Sequence, residues 1–152
     1  MAAEYLAVNS QNINNLSPII FTASIPCKKG YVLHEDETGI FILKGIVSNP
    51  CANYASYRIS YNGNIALPEG ATVAPIAIAI TTMGEQRPSS KAIFTPAAVQ
   101  EFGNVTSTAI IQVPRGCCYT LAIEAVPANT TDTPAPIIVV ENSNLVIDRI
   151  IA

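Results

Sequence analysis

From about residue 19 onward the chain is divided into segments of five to ten residues rich in Ile, Val, Tyr and Thr, each closed by Gly, Pro, Asn or Ser. Runs this short are poor helices, whereas β-branched and aromatic side chains suit a pleated, half-buried surface. The period is two. Tyr57, Ile59 and Tyr61 are interleaved with Arg58 and Ser60, which puts an aromatic and aliphatic row on one face and polar groups on the other. Such a row belongs in a sandwich core or in an interface. Ile76, Ile78 and Ile80 alternate with Ala77, Ala79 and Thr81, the pattern of a strand covered on both faces. Strands are expected at 19–23, 31–34, 40–47, 55–67 with a break at Asn62-Gly63-Asn64, 73–82, 91–95, 105–113, 118–126, 137–140 and 144–151. Thr82-Met83-Gly84-Glu85 reads as a hairpin tip, and Pro114-Arg115-Gly116 as a turn between strands that fold back on each other. One helical turn is expected at 96–102, with Thr95 as N-cap and Pro96 at the first helical position. The chain is therefore all-β, a sandwich of about ten strands.

Before residue 19 the sequence changes character. Asn9, Ser10, Gln11, Asn12, Asn14, Asn15 and Ser17 make residues 1–18 an extended N-terminal arm that packs on something else, with residues 19–152 as a single domain. A length of 152 residues suits one core that buries about 70% of the unfolded surface. Eight basic against eleven acidic residues give a net charge of −3, so there is no basic footprint to neutralise a phosphate backbone and nucleic acid is not an expected partner. No stretch supplies the ~20 apolar residues of a membrane-spanning helix. The first residues lack the basic flank of a secretory signal, so folding in a cytoplasm is expected. Charged residues make up only 12% of the chain, against about 25% in an average domain. A monomer covered so thinly would expose much apolar surface, so burial between subunits is expected.

No constellation suggests chemistry. The four cysteines Cys27, Cys51, Cys117 and Cys118 are expected as thiols, with one of the adjacent pair packing inward and the other outward. No Cys-x-x-Cys occurs, and His34, the single histidine, has no partner at zinc spacing, so neither a metal nor a cofactor is expected. His34-Glu35-Asp36-Glu37 reads as a solvated loop. With no Gly-x-Ser-x-Gly elbow and no Gly-rich phosphate loop, no catalytic residue is assigned. Asn15-Leu16-Ser17, Asn104-Val105-Thr106 and Asn129-Thr130-Thr131 are formal glycosylation acceptors that carry no weight without a secretory signal. Six tyrosines and no Trp fit core and interface positions better than a carbohydrate platform.

Several stretches occur in an order that resembles a known family. These are Gly39-Ile40-Phe41-Ile42-Leu43-Lys44-Gly45, Tyr57-Arg58-Ile59-Ser60-Tyr61-Asn62-Gly63-Asn64-Ile65, and Ile76-Ala77-Ile78-Ala79-Ile80 with Gly84-Glu85 and Pro88-Ser89-Ser90. They continue with Thr95 to Phe102, Val113-Pro114-Arg115-Gly116-Cys117-Cys118-Tyr119-Thr120 and Val140-Glu141-Asn142-Ser143-Asn144-Leu145-Val146-Ile147. From about residue 17 to its end the chain resembles the small tumour-necrosis-factor/C1q-like jelly-roll proteins of bacteria and of phages infecting gut Firmicutes. The resemblance implies a ten-stranded jelly roll that assembles as a homotrimer, with an inner sheet, including the strands at 55–61, 105–113 and 144–151, facing the neighbours. It further implies a non-enzymatic virion structural protein that decorates or cements a tailed-phage capsid, bound to the major capsid protein at the capsid surface. The collagen-like or coiled-coil stalk of some members is missing, so the arm at 1–18 is expected to dock directly. The alternative is a receptor- or carbohydrate-binding head that takes a host glycan. Candidate trimer-interface residues are Tyr57, Ile59, Tyr61, Phe102, Cys118 and Tyr119, each of which fits a core position equally well.

Overall fold

The computed structural model describes residues 2–26, 30–129 and 134–150. Twelve strands occur among them: β1 (Ala2–Ala7), β2 (Gln11–Ile13), β3 (Ala23–Ile25), β4 (Val32–His34), β5 (Phe41–Lys44), β6 (Tyr54–Ala66), β7 (Ile76–Thr82), β8 (Glu85–Gln86), β9 (Ala92–Phe94), β10 (Gly103–Pro114), β11 (Cys118–Val126) and β12 (Ile138–Ile150). They form two antiparallel six-stranded sheets. The first runs β10-β6-β12-β1-β3, with β2 also on β12; the second runs β4-β5-β11-β7-β8, with β9 also on β7. The expected all-β jelly-roll sandwich is what the chain forms.

The core lies between the sheets. Tyr57, Ile59, Tyr61 and Ile65 of β6, Ile111 and Val113 of β10 and Leu145 and Ile147 of β12 meet Phe41, Leu43, Ile76, Ile78, Ile80, Leu121 and Ile123 from the opposite sheet. Burying each such side chain stabilises the fold by about 1.5–3 kcal/mol. The other face of β7 is also covered, because Ala77 and Ala79 join Val126 and Ala128 in a second small cluster. One end of the core is aromatic: Tyr5 and Phe21 meet Phe41 edge-on at centroid distances of 4.6 and 5.5 Å, and His34 stacks on Phe41 at 4.2 Å. His34 thus leaves the acidic loop for the interior, while Glu35, Asp36 and Glu37 stay exposed. Its Nε2 lies 2.9 Å from the Thr38 carbonyl oxygen, which can only accept, so the ring proton sits on Nε2. Across the core, Arg149 lays its guanidinium 3.8 Å over the Tyr31 ring and donates to the Ile46 carbonyl.

Several expectations are corrected. Residues 1–18 are not an arm. β1 is hydrogen-bonded between β12 and β3, and β2 also pairs with β12. The segment 16–19 then crosses to the second sheet, where Leu16 N–H donates to Ala125 O at 2.9 Å and Ile19 N–H to Ile123 O at 2.8 Å. Ala3, Tyr5 and Ala7 are buried, a period-two row that is easily missed because two of its members are only methyl groups. The amides that suggested an arm satisfy the backbone instead: Gln11 exchanges two hydrogen bonds with the main chain of Ile20, and Asn15 accepts from Ala135 N–H.

The turn at Pro114-Arg115-Gly116 joins strands of opposite sheets, so it is a crossover and not a hairpin. The hairpin at Met83-Gly84 is present, with positive φ of 53° and 81° at its two central residues. No helix forms at 96–102. Gln100 takes a positive φ of 61°, and the Glu101 carboxylate, rather than Thr95, accepts from the N–H groups of Ala97 and Ala98. The one helical element among the described residues is a 3-10 turn at Pro88–Ser90.

β6 runs unbroken through Asn62-Gly63-Asn64. The irregularity is in β12, where the register shifts between Glu141 and Asn144 and the expected strands 137–140 and 144–151 join through a bulge. The bulge carries Ser143 to the Tyr61 hydroxyl at 2.9 Å, and the two close over Gly63, where a Cβ would lie 2.5 Å from Ser143 Oγ. Burial pushes the Tyr61 phenol up from 10.0 to about 12, and the bond to Ser143 opposes part of that shift. Because the folded value is the higher one, the contribution of Tyr61 to stability is full below pH 10.0 and is lost as the pH rises toward about 12. Tyr61→Phe leaves buried Ser143 without this partner, so it is expected to cost about 1–2 kcal/mol in urea unfolding at neutral pH and to flatten the alkaline loss. An unchanged urea midpoint would contradict this role for the pair.

Candidate functional site

Alternate residues of the first sheet point away from the core, and register aligns them in rows across β10, β6, β12, β1 and β3. One row is Ile110, Arg58, Asp148 and Ala2; the next is Thr108, Ser60, Val146, Glu4 and Ile25; a third is Thr106, Asn62, Asn144, Leu6 and Ala23. Tyr54, Ser56, Gln112 and Ile150 extend the face at one end, and Asn64, Asn104 and Glu141 at the other. Together these rows make one regular surface. It is short of charge: Arg58 and Asp148 neutralise each other at 2.7 Å, which leaves Glu4 and Glu141. Asn104 Nδ2 donates to the side-chain oxygens of Asn62 at 2.9 Å and Asn64 at 3.2 Å, so the amides also pair among themselves. Ile110 is 56% exposed and Ile25 60%, with Tyr54 and Ile150 also open to solvent. A weakly charged surface with unburied Ile and Tyr suits contact with another protein surface.

None of the six candidate interface residues lies on this face. Tyr57, Ile59 and Tyr61 point the other way and are fully buried in the single subunit, with the Tyr57 hydroxyl bonded to the carbonyl of Lys44 at 2.6 Å. The alternation was read correctly, but the larger row was given the wrong role. Cys118 and Tyr119 belong to the second sheet, where Cys118 is exposed and Tyr119 is partly buried against the core. Phe102 is 41% exposed and lies beside the end of β6. The outward row itself, with Ser60, Thr108, Ile110 and Val146, is written in the other half of the same alternation.

Cys51, Cys117 and Cys118 are exposed free thiols. Neither of the adjacent pair packs inward, because Cys117 belongs to the turn, its N–H bonded to Pro114 O, and strand alternation starts only at Cys118. Cys27, and Thr130 and Thr131 of the third glycosylation acceptor, lie outside the described residues. Of the six tyrosines only Tyr54 is exposed, so no tyrosine platform for a sugar forms.

The second sheet carries a partly buried acid, Glu124. Burial pushes the Glu124 carboxyl above its ordinary value, with a bond to Thr81 opposing the shift. A raised acid pKa favours the fold while the group is protonated, and that contribution is lost as the pH rises through the folded value. Glu124→Gln is therefore expected to raise the melting temperature slightly at pH 7 and to have no effect in acid. An equal gain at both pH values would refute this account.

No protein-family model matches the sequence, and no curated protein matches it. Solved structures do. The globular domain of zebrafish complement 1qA aligns over 99% of this chain and 95% of its own, at 11% identity and a TM-score of 0.59. Eiger TNF from S. frugiperda aligns over 100% and 94%, at 9% identity and a TM-score of 0.62. Murine APRIL at pH 5.0 aligns over 96% and 95%, at 9% identity and a TM-score of 0.58. At such identities the likeness is one of fold, and the chain folds as a TNF/C1q-like jelly roll.

Proposed function

We propose that the chain is a non-enzymatic structural domain that assembles as a homotrimer through the outward face of its first sheet. The observation that carries this reading is the composition of that face: ordered rows of Ser, Thr, Asn, Ile and Val, with one internally neutralised ion pair and only Glu4 and Glu141 besides, on a chain that is only 12% charged. Surfaces that desolvate cheaply are the ones subunits bury, and a cyclic arrangement of three uses the same contacts three times. The test is light scattering coupled to size exclusion under reducing conditions. A mass near three times 16.1 kDa supports the reading, and a monomer or dimer overturns it.

We propose further that the trimer is a virion component, decorating or cementing a tailed-phage capsid. The support is the sequence resemblance, together with the fit of a three-fold oligomer to three-fold lattice sites, where three weak contacts add as avidity. With residues 2–7 built into the sheet, docking falls to exposed surface rather than to an arm. Co-sedimentation with purified phage heads is the check, and a trimer that never pellets with heads would remove the capsid role. The carbohydrate-binding alternative loses the exposed tyrosines on which it was to rest.

A further inference from the structure

At the far end of the outward face, where β6 leaves the sheet, a cleft of about 450 Å3 opens, within the size range of small-ligand sites. Its apolar lining comes from Leu67, Pro68 and Val139. Phe102 forms a wall, and two residues before it Gln100 N–H donates to Leu67 O at 2.8 Å, tying this loop to the end of β6. Two carboxylates, Glu69 and Glu141, line the same cleft, and no lysine or arginine is among its described lining residues.

We propose that this cleft binds an alkylammonium group, either a small aliphatic amine or a lysine side chain. Three properties point the same way. The apolar lining accepts a methylene chain, the face of a half-exposed phenyl ring attracts a cation, and two carboxylates with no local counter-charge set the sign of the ligand. An anion would meet uncompensated repulsion, and a purely apolar ligand would leave the carboxylates unused. Glu141 belongs both to the cleft and to the end of the outward face, so the inference rests on the trimer leaving this end of the face open, and the mass of the trimer is measured independently.

The test is an NMR titration of the isotope-labelled full chain with n-hexylammonium, using n-hexanol as the uncharged counterpart. Saturable shifts are expected around Gln100, Phe102 and Val139, with n-hexanol about tenfold weaker. Phe102→Ala should weaken hexylammonium binding about threefold, and Glu69→Gln combined with Glu141→Gln about tenfold. None of these side chains is buried, and the rest of the spectrum reports whether each variant keeps the fold. A blocked Gly-Lys-Gly peptide separates the two sources: tighter binding than hexylammonium identifies a polypeptide lysine, and binding that is no tighter identifies a small amine. The proposal is overturned if n-hexanol binds as well as hexylammonium, if a neutral methyl glycoside saturates the same resonances while the amine does not, or if no probe gives a saturable shift.

Discussion

Ile110→Glu is expected to convert the proposed trimer into a folded monomer. Ile110 lies in register with Arg58, whose guanidinium is already committed to Asp148, so a new carboxylate there finds no free cation among the described residues of its face. In a symmetric assembly the change enters three times. Each copy desolvates a charge without a partner, at a cost of several kcal/mol per ion, which exceeds what one isoleucine contributes to an interface. In the isolated subunit the side chain is 56% exposed, so the same substitution should change subunit stability by no more than about 0.5 kcal/mol. Light scattering should give 16.1 kDa while far-ultraviolet circular dichroism keeps its β signature. Ser60→Arg, one row away on β6, should behave alike, and Leu33→Glu, 44% exposed on the second sheet, should leave the trimer intact. Trimers from both Ile110→Glu and Ser60→Arg would move the interface elsewhere.

Gly45→Ala should be among the most destabilising single changes, at about 3 kcal/mol. Gly45 follows β5 at the point where the crossover from β10 to β11 passes over it: Gly45 N–H donates to Cys117 O at 2.8 Å, and Gly116 N–H to Gly45 O at 2.9 Å. A Cβ at this position would collide with the Pro114 carbonyl oxygen and lie 3.0 Å from that of Cys117. Both obstacles are backbone, held by the bonds that make the crossover, so neither can swing aside. Gly70→Ala makes a useful contrast: a Cβ there meets nothing, and the cost is only the positive φ of 82°, about 1–2 kcal/mol. Urea unfolding should rank the two in that order. The reverse ranking would show that the crossover can yield.

What the sequence disclosed followed from side-chain size and spacing. β7 and β11 were legible because Ile76, Ile78 and Ile80, and the run from Cys118 to Val126, show their period through bulky groups. β1 was not legible, since its buried row is Ala3, Tyr5 and Ala7, and its role is fixed by a strand more than a hundred residues away. The bulge in β12 was hidden for a related reason: Asn142 takes a left-handed φ of 52° to bring Ser143 beneath Tyr61, a need that arises only in the folded sheet. The candidate site failed on a prior about size. Aromatic residues were assigned to an interface, whereas two sheets of this thickness need Tyr57 and Tyr61 to fill the space between them. The smaller, polar residues of the same strand face outward.

The position of β1 also sets an order of events during synthesis. Ala2 to Ala7 pair with Asp148 to Ser143, so one strand must wait for a partner translated well over a hundred residues later. β6 and β10 can zip together earlier, but one edge of β6 stays bare until β12 emerges. At about 5–20 residues per second, that interval lasts seconds, with an apolar strand edge open to other nascent chains. Slower elongation between β10 and the end of β12 would lengthen this exposure. Yield of soluble protein should therefore respond to translation speed and chaperone supply more than the stability of the finished sandwich would suggest.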